Sequence, residues 1–325
     1  MSQQLKPDYA FSPSLLDAYQ RMVDTKVEDF FYQDETGAWH LNWNETEETL
    51  HFSEEEVDAL LKQEFIDKVN KVPTPPSEAA SKGTAFNEIV DCLILNRKPS
   101  NPDIVIKTIR SGQDLFDARP KPAPLLVNGQ EMVNAVATQE LQQKCFEEFA
   151  KIGVPKFIYA AIDGFEFFFD MLFCLEAAEY FKGSIAQYYT KANLQTSNGV
   201  VEIHGYIDYL RHMKVFDAKT TKRYNWGDFQ KKWQRYAYPF TLIESGMMNE
   251  VNSFEFTIYV LSGGSSRSPL ITGKQYKEVY TYDHEQARRM LTQQCERVIE
   301  FLEDNRESIT NQKVFGNGIS DNRQD

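Results

Sequence analysis

Two aspartates and a lysine stand out for the neighbours they keep. Asp208 lies in the apolar stretch Gly205-Tyr206-Ile207-Asp208-Tyr209-Leu210, and Asp217 in Val215-Phe216-Asp217-Ala218-Lys219-Thr220. A carboxylate among apolar residues is costly unless it is paired, hydrogen-bonded or bound to a cation. Two of them on adjacent strands repel each other unless a cation lies between them. Oxygen donors of this kind suit magnesium or manganese. Lys219 follows Asp217 by two residues, and the period of a strand puts both side chains on one face. A cation beside a metal-bound carboxylate can activate a water or stabilise charge growing on a phosphate. Phosphodiester hydrolysis needs a metal to polarise the phosphoryl oxygen, a metal-bound water as nucleophile, and a positive group at the transition state.

The next segment adds to this set. Gln234 and Tyr238 are four residues apart, so on a helix they share a face and bring an amide and a phenol toward the metal. Lys231 and Arg235 lie on adjoining faces. Trp226, Phe229, Trp233 and Tyr236 interleave rings with these cations, the combination by which single strands are held. The chain carries a formal charge of −13, which alone argues against a nucleic-acid partner. The distribution reverses that reading. Residues 1–80 hold 17 acidic and 6 basic residues, whereas residues 211–235 hold 8 basic and 2 acidic. An acidic body with one basic stripe binds a polyanion locally. DNA contact is therefore expected at Lys222, Arg223, Lys231 and Arg235.

In this order and on these elements, the motifs resemble those of the PD-(D/E)xK nuclease superfamily, specifically its RecB-like exonuclease branch. Gly205-Tyr206-Ile207-Asp208 matches that family's strand with Gly-x-x-Asp. Asp217-Ala218-Lys219 matches its Asp/Glu-x-Lys, and Gln234 to Tyr238 its Gln-x-x-x-Tyr helix. Upstream, Gly83-Thr84-Ala85-Phe86-Asn87-Glu88-Ile89-Val90-Asp91 matches a helix that begins Gly-Thr-x-x-His and ends in an acidic residue. The resemblance spans roughly residues 80–300, with motifs confined to 83–91 and 205–238.

The resemblance implies a restriction-endonuclease-like α/β (α+β) core, with a central mixed sheet flanked by helices. It implies Mg2+ or Mn2+ held by Asp208, Asp217 and the backbone carbonyl of Ala218. Lys219 would then be catalytic, supported by Gln234 and Tyr238. One departure matters: Asn87 stands where the family has histidine. An asparagine amide oxygen ligates a hard cation more weakly. Its neighbour Glu88 is a carboxylate used at the equivalent helix in other branches, so Glu88 is the expected third ligand and Asn87 the alternative. The implied activity is exonucleolytic hydrolysis of single- or double-stranded DNA in recombination, repair or replication. An endonuclease or RNA-processing enzyme of the same fold, and a catalytically decayed nucleic-acid- or partner-binding module, are the alternatives.

These residues need elements to position them. Residues 185–194 and 200–210 read as a hairpin about the turn Ser197-Asn198-Gly199. Residues 214–219 read as a third strand, 226–245 as a helix, 253–261 and 276–282 as further strands, and 283–303 as a long helix. Before them, helices are expected over 12–32, 53–71, 79–96, 129–151 and 164–182. Ser53 and Glu56 form a capping box, and Pro73, Pro75 and Pro76 form a stiff connector. Residues 97–128 read as a long surface excursion.

The domain expectation is an acidic helical region over 1–78, a nuclease core over 79–310 with a helical insertion over about 97–182, and a frayed tail over 311–325. The acidic region is expected either to cap the core or to bind a partner helicase or single-strand-binding protein. No run of about 18 apolar residues is present, so no membrane span is expected. The polar N-terminus lacks the pattern of a secretory signal, so an intracellular, cytoplasmic setting is expected. Cys92, Cys145, Cys174 and Cys295 are too far apart for a zinc or iron–sulfur motif. Gly273-Lys274 is followed by Gln275, so no phosphate-binding loop and no fused helicase motor are expected.

Overall fold

The computed structural model describes residues 6–25, 31–33, 39–41, 54–127 and 130–316. In chain order the elements are β1 (Tyr9–Phe11), α1 (Pro13–Asp24), β2 (Phe31–Gln33), β3 (Trp39–Leu41), α2 (Glu54–Asn70), α3 (Glu78–Leu95), β4 (Val105–Ile109) and α4 (Gly112–Ala118). Then follow β5 (Leu125–Val127), β6 (Gln130–Met132), α5 (Ala135–Ile152), β7 (Phe157–Ile162), β8 (Phe165–Asp170) and α6 (Met171–Phe181). The C-terminal half holds β9 (Ile185–Thr196), β10 (Gly199–Arg211), β11 (Lys214–Thr221), α7 (Gln234–Glu244), β12 (Ser253–Ser262), β13 (Leu270–Thr281) and α8 (His284–Asp304).

The architecture is α/β, with a nine-stranded mixed sheet flanked by helices. The strand order is β1-β10-β11-β12-β13-β8-β7-β4, with β9 on the far edge of β10. The β9–β10 hairpin turns at Ser197-Asn198, as its turn residues predict. β11 pairs antiparallel with β10 and parallel with β12. The β11–β12 connection is therefore a crossover, and α7 lies in it. Helices cover both faces. On one face α3 and α6 pack on Tyr209, Phe216, Ala218 and Tyr259. On the other, α1, α2, α7 and α8 pack on Val201, Ile203 and Leu194, and α7 continues onto Ile207, Val215, Phe254 and Phe256. Phe216 and Val215 thus point to opposite layers, the alternation that keeps a two-sided strand buried. Each such side chain contributes about 1.5–3 kcal/mol by leaving water.

Several elements depart from the expectation. The apolar run Phe165–Phe169 is not helical: β7 and β8 form a hairpin there, and the helix begins only at Met171. Asp163-Gly164, both at positive φ, makes the tight turn, and a run of aromatics favours the pleated strand. The expected surface excursion over 97–128 contains β4, α4 and β5, and β4 pairs with β7. The stretch over 97–182 is therefore not a purely helical insertion, because β4, β7 and β8 belong to the main sheet. The acidic N-terminal region is not purely helical either, since β1 joins that sheet beside β10. The helix expected over 226–245 forms only from Gln234. Helix α1 ends at Asp24, Phe31 and Tyr32 of the expected helix lie in β2, and Val314 and Phe315 of the expected frayed tail are buried in the core; residues 26–30, Ser53 of the capping box and the tail beyond 316 lie outside the described residues. Among the described residues, no helix is long and apolar enough to cross a membrane.

Candidate active site

The site lies where β10 changes partners. On one edge β10 pairs with β1 at Val201–Ile203 and with β11 at Tyr209–Arg211. Between these pairings His204 to Asp208 have no strand alongside, so the sheet opens into a fork. Pro13 and Tyr238 close over the gap. A Cβ on Gly205 would lie 3.0 Å from Tyr238 Cε1 and 3.4 Å from Pro13 Cδ. The bare Cα of the Gly-x-x-Asp motif lets α1 and α7 approach the strand this closely.

At the fork Asp208 replaces a ladder bond with its side chain: the Ala218 N–H donates to Asp208 Oδ2 at 2.8 Å. Extending the β10–β11 register by one pair sets Asp208 opposite Asp217. Burial, then the charge of Asp217, push the Asp208 carboxyl up to about 7, against the pull of Lys219 and the Ala218 N–H. Lys219 Nζ lies 2.6 Å from Asp217 Oδ2. Burial disfavours the Lys219 charge, but Asp217 and Asp208 outweigh it and hold the ammonium above its ordinary value. Tyr238 is buried over this cluster. Burial and the charges of Asp217, Asp208 and Asp17 push its phenol far up, so it stays protonated.

Gln234 is buried in the first turn of α7, and its Oε1 has no hydrogen-bond partner among the described groups. The structure therefore gathers Asp208, Asp217, Lys219 and Tyr238, with Gln234 on the same helix as the tyrosine. Asp208 and Asp217 are hard oxygen donors brought together against their own repulsion, which fits a divalent cation of the magnesium class.

Glu88, the expected third ligand, is committed elsewhere. Its carboxylate accepts from Arg97 Nη1 at 2.7 Å and from the Ser100 N–H and hydroxyl, at the far end of α3. The cause is helical geometry. Gly83, Asn87 and Asp91 repeat at four-residue intervals along the face of α3 that meets the sheet, and Glu88 is rotated off it. A Cβ on Gly83 would lie 2.4 Å from Thr220 Oγ1, so that end of the helix is pressed onto β11. At the other end Asp91 Oδ1 accepts from the Tyr209 hydroxyl at 2.6 Å, and Asp91 Oδ2 accepts from Gln187 Nε2 at 3.2 Å. Asn87 lies between these two anchors. Among the described residues, no group of three or more His, Cys, Asp and Glu side chains is gathered closely enough to hold a metal ion.

Three further residues stand at the site, none of them among the expected catalytic or metal-binding residues. Asp91 adds its charge to that felt by Asp208. Gln187 stands opposite Asp208 on β9 with φ of +53°, a backbone region costly for a residue with a Cβ. Asp17 of α1 accepts from the Trp233 N–H at 2.8 Å, capping α7 from a distant element, and its field reaches Lys219 and Asp217. Only Asp91 had a local signal, as the acidic residue closing the Gly-Thr helix.

The expected DNA contacts divide. Lys222 and Arg223 are exposed just beyond Lys219. Lys231 is exposed and pairs with Asp24 at 3.0 Å. Arg235 is packed between the rings of Tyr236 and Tyr280, 4.4 and 4.6 Å from their centroids.

No protein-family model matches the chain, and no curated protein matches it. Among solved structures, that of SSO0001 matches at 15% identity and a TM-score of 0.21, over 37% of this chain and 55% of its own. The chain thus spans about half the length of that protein, and a likeness this weak carries no argument about fold or function.

Proposed function

We propose that the chain is a metal-dependent deoxyribonuclease with a restriction-endonuclease-like core of the PD-(D/E)xK type, RecB-like branch. The observation that carries this reading is the meeting of Asp208 and Asp217 at the fork of the sheet with Lys219 Nζ 2.6 Å from Asp217. Asp208, Asp217 and the Ala218 carbonyl would hold Mg2+ or Mn2+, with Asn87 better placed than Glu88 to add an oxygen. The bound ion supplies Lewis-acid polarisation of the phosphoryl oxygen and lowers the pKa of a water. Lys219, charged and half-buried, orients the attacking water and offsets the charge that develops on the phosphate. Tyr238 keeps its proton over the cluster and is a donor available to substrate or water. The buried, unpartnered Oε1 of Gln234 is an acceptor available to substrate or water. The bond cleaved is a phosphodiester P–O bond, and the leaving oxygen takes a proton from solvent.

Digestion of linear and circular DNA, single- and double-stranded, with Mg2+ and with Mn2+, tests this. The wild type is expected to degrade linear DNA and spare circles, the behaviour of an exonuclease. Lys219→Ala is expected to lose at least a hundredfold in rate with an unchanged circular-dichroism spectrum. Wild-type rates in that variant would refute the assignment, and degraded circles would make the enzyme an endonuclease. A second reading, a nuclease fold retained for binding, is favoured by one observation: Glu88 is engaged by Arg97 and Ser100 while Asn87 replaces the histidine. It predicts DNA binding without hydrolysis under either metal.

A further inference from the structure

The twelve residues between β11 and α7 form a braced loop with one ring turned outward. Glu278 of β13 is buried and accepts from the Tyr224 hydroxyl at 2.9 Å and from the Gly227 N–H at 2.7 Å. The Asn225 N–H donates to Asp228 Oδ2 at 2.7 Å across the same turn. Trp226 lies between these anchors and is 81% exposed. Its partners in the run behave differently. Trp233 is buried, and Tyr224 and Phe229 stack inward, with Phe229 5.5 Å from Phe256. An indole held out in water on a pinned turn contributes almost nothing to folding, although it is the largest apolar side chain available.

The sheet register ties this loop to the site. Asp217 pairs with Phe256, and Phe256 with Glu278, so the three lie in one row on one face of three adjacent strands. Glu278, which anchors the turn, is two strand spacings from Asp217, roughly 10 Å. Lys219 Nζ lies 6.0 Å from the Phe256 ring centroid, the same ring that Phe229 covers. The turn thus borders the carboxylate pair. Lys222 and Arg223 are exposed at the entrance to the loop, and neither forms an ion pair among the described residues. The exposed side of the loop therefore presents cations next to an aromatic face, which complements a strand whose phosphates and bases are both accessible.

We propose that Trp226 is a base-stacking platform for single-stranded DNA, holding the nucleotide next to the phosphate that is cleaved at the site of Asp208, Asp217 and Lys219. The inference rests on the nuclease reading and narrows its substrate to a strand with unpaired bases near the site. In a duplex the base faces are covered by their neighbours, so the indole finds no partner there.

The test measures binding in a cleavage-silenced Lys219→Ala background, by fluorescence anisotropy with a labelled homothymidine oligonucleotide and with a blunt duplex. Adding Trp226→Ala is expected to weaken oligonucleotide binding roughly 5- to 150-fold, the value of stacking one base. Duplex binding should change by about twofold or less, and Trp226→Phe should recover most of the loss. Because Trp226 is exposed, these variants keep the fold. Oligonucleotide affinity unchanged in Trp226→Ala, or an equal loss on duplex, overturns the platform. If the wild type cleaves DNA under those outcomes, the nuclease reading stands without it. If the Lys219→Ala protein binds neither DNA and the wild type cleaves none, both fall together.

Discussion

Asp208 and Asp217 meet at the fork between β10 and β11, where a sheet built for stability alone has no use for two carboxylates. The Asp208 charge is disfavoured by burial and by Asp217, and Lys219 offsets only part of that cost. A divalent cation bound there removes the repulsion and stabilises the folded state by mass action. Millimolar Mg2+ or Mn2+ is accordingly expected to raise the melting temperature of the chelator-treated wild type by several degrees and to leave Asp217→Asn unmoved. Equal shifts in the two proteins would show that the metal binds elsewhere.

Gly205 carries a second expectation at this scale. An alanine there places its Cβ 3.0 Å from Tyr238 and 3.4 Å from Pro13, so both must retreat. Gly205→Ala is expected to lower the cleavage rate at least tenfold while costing about 1–3 kcal/mol of stability in chemical denaturation. That Asp208, Asp217, Lys219 and Tyr238 lie together was legible in the sequence because each sits in a local motif on a regular element, whereas Glu88 was misplaced because one step along α3 turns it off the sheet. Asp17 and Gln187 were not legible, because their proximity to Lys219 and Asp208 comes from pairing between distant segments.

Helix α7 shows how an element can be right in kind and wrong in extent. Aromatic and cationic spacing over 226–245 reads as one helix, yet the helix opens at Gln234. Glu278 draws Tyr224 and Gly227 into a turn, and Gly227 adopts φ of +94°. Asp17 then supplies the cap that Trp233 lacks. Such a cap is worth about 0.5–2 kcal/mol. Asp17→Ala is expected to lose that much stability and also to lower activity, because Gln234 and Tyr238 ride on the helix it fixes. Asp17→Asn keeps an acceptor for the Trp233 N–H and should recover most of the stability, which calorimetry on the two variants measures. The hairpin was legible from its turn residues Ser197-Asn198-Gly199, and α8 because its apolar period is long and regular. The β7–β8 hairpin was misread because six successive aromatic or acidic residues, Phe165 to Asp170, give no period, and only Asp163-Gly164 marked the turn.

At the scale of the whole molecule, charge and connectivity set the terms. The body is acidic, with a formal charge of −13, while Lys222 and Arg223 project beside the site. DNA binding should therefore depend steeply on salt. Each phosphate contact contributes a slope of about 0.7–0.9 in log affinity against log salt. Lys222→Ala combined with Arg223→Ala is expected to reduce that slope by about 1.5, measured by anisotropy across a salt series. An unchanged slope would place the phosphates elsewhere.

The parallel pairing of β1 with β10 has a consequence in time. Tyr9 is registered with Val201 and donates its hydroxyl to Glu303 at 2.6 Å, so the wall that α1 and Asp17 give the site joins segments nearly three hundred residues apart. At about 5–20 residues per second a ribosome takes on the order of 10–40 s to travel from the first of those strands to the second. Through that interval Asp17 waits without the helix it caps, which with its Gln234 and Tyr238 has yet to be made. The wall of the site is thus completed only after the segments at both ends of that span have been made.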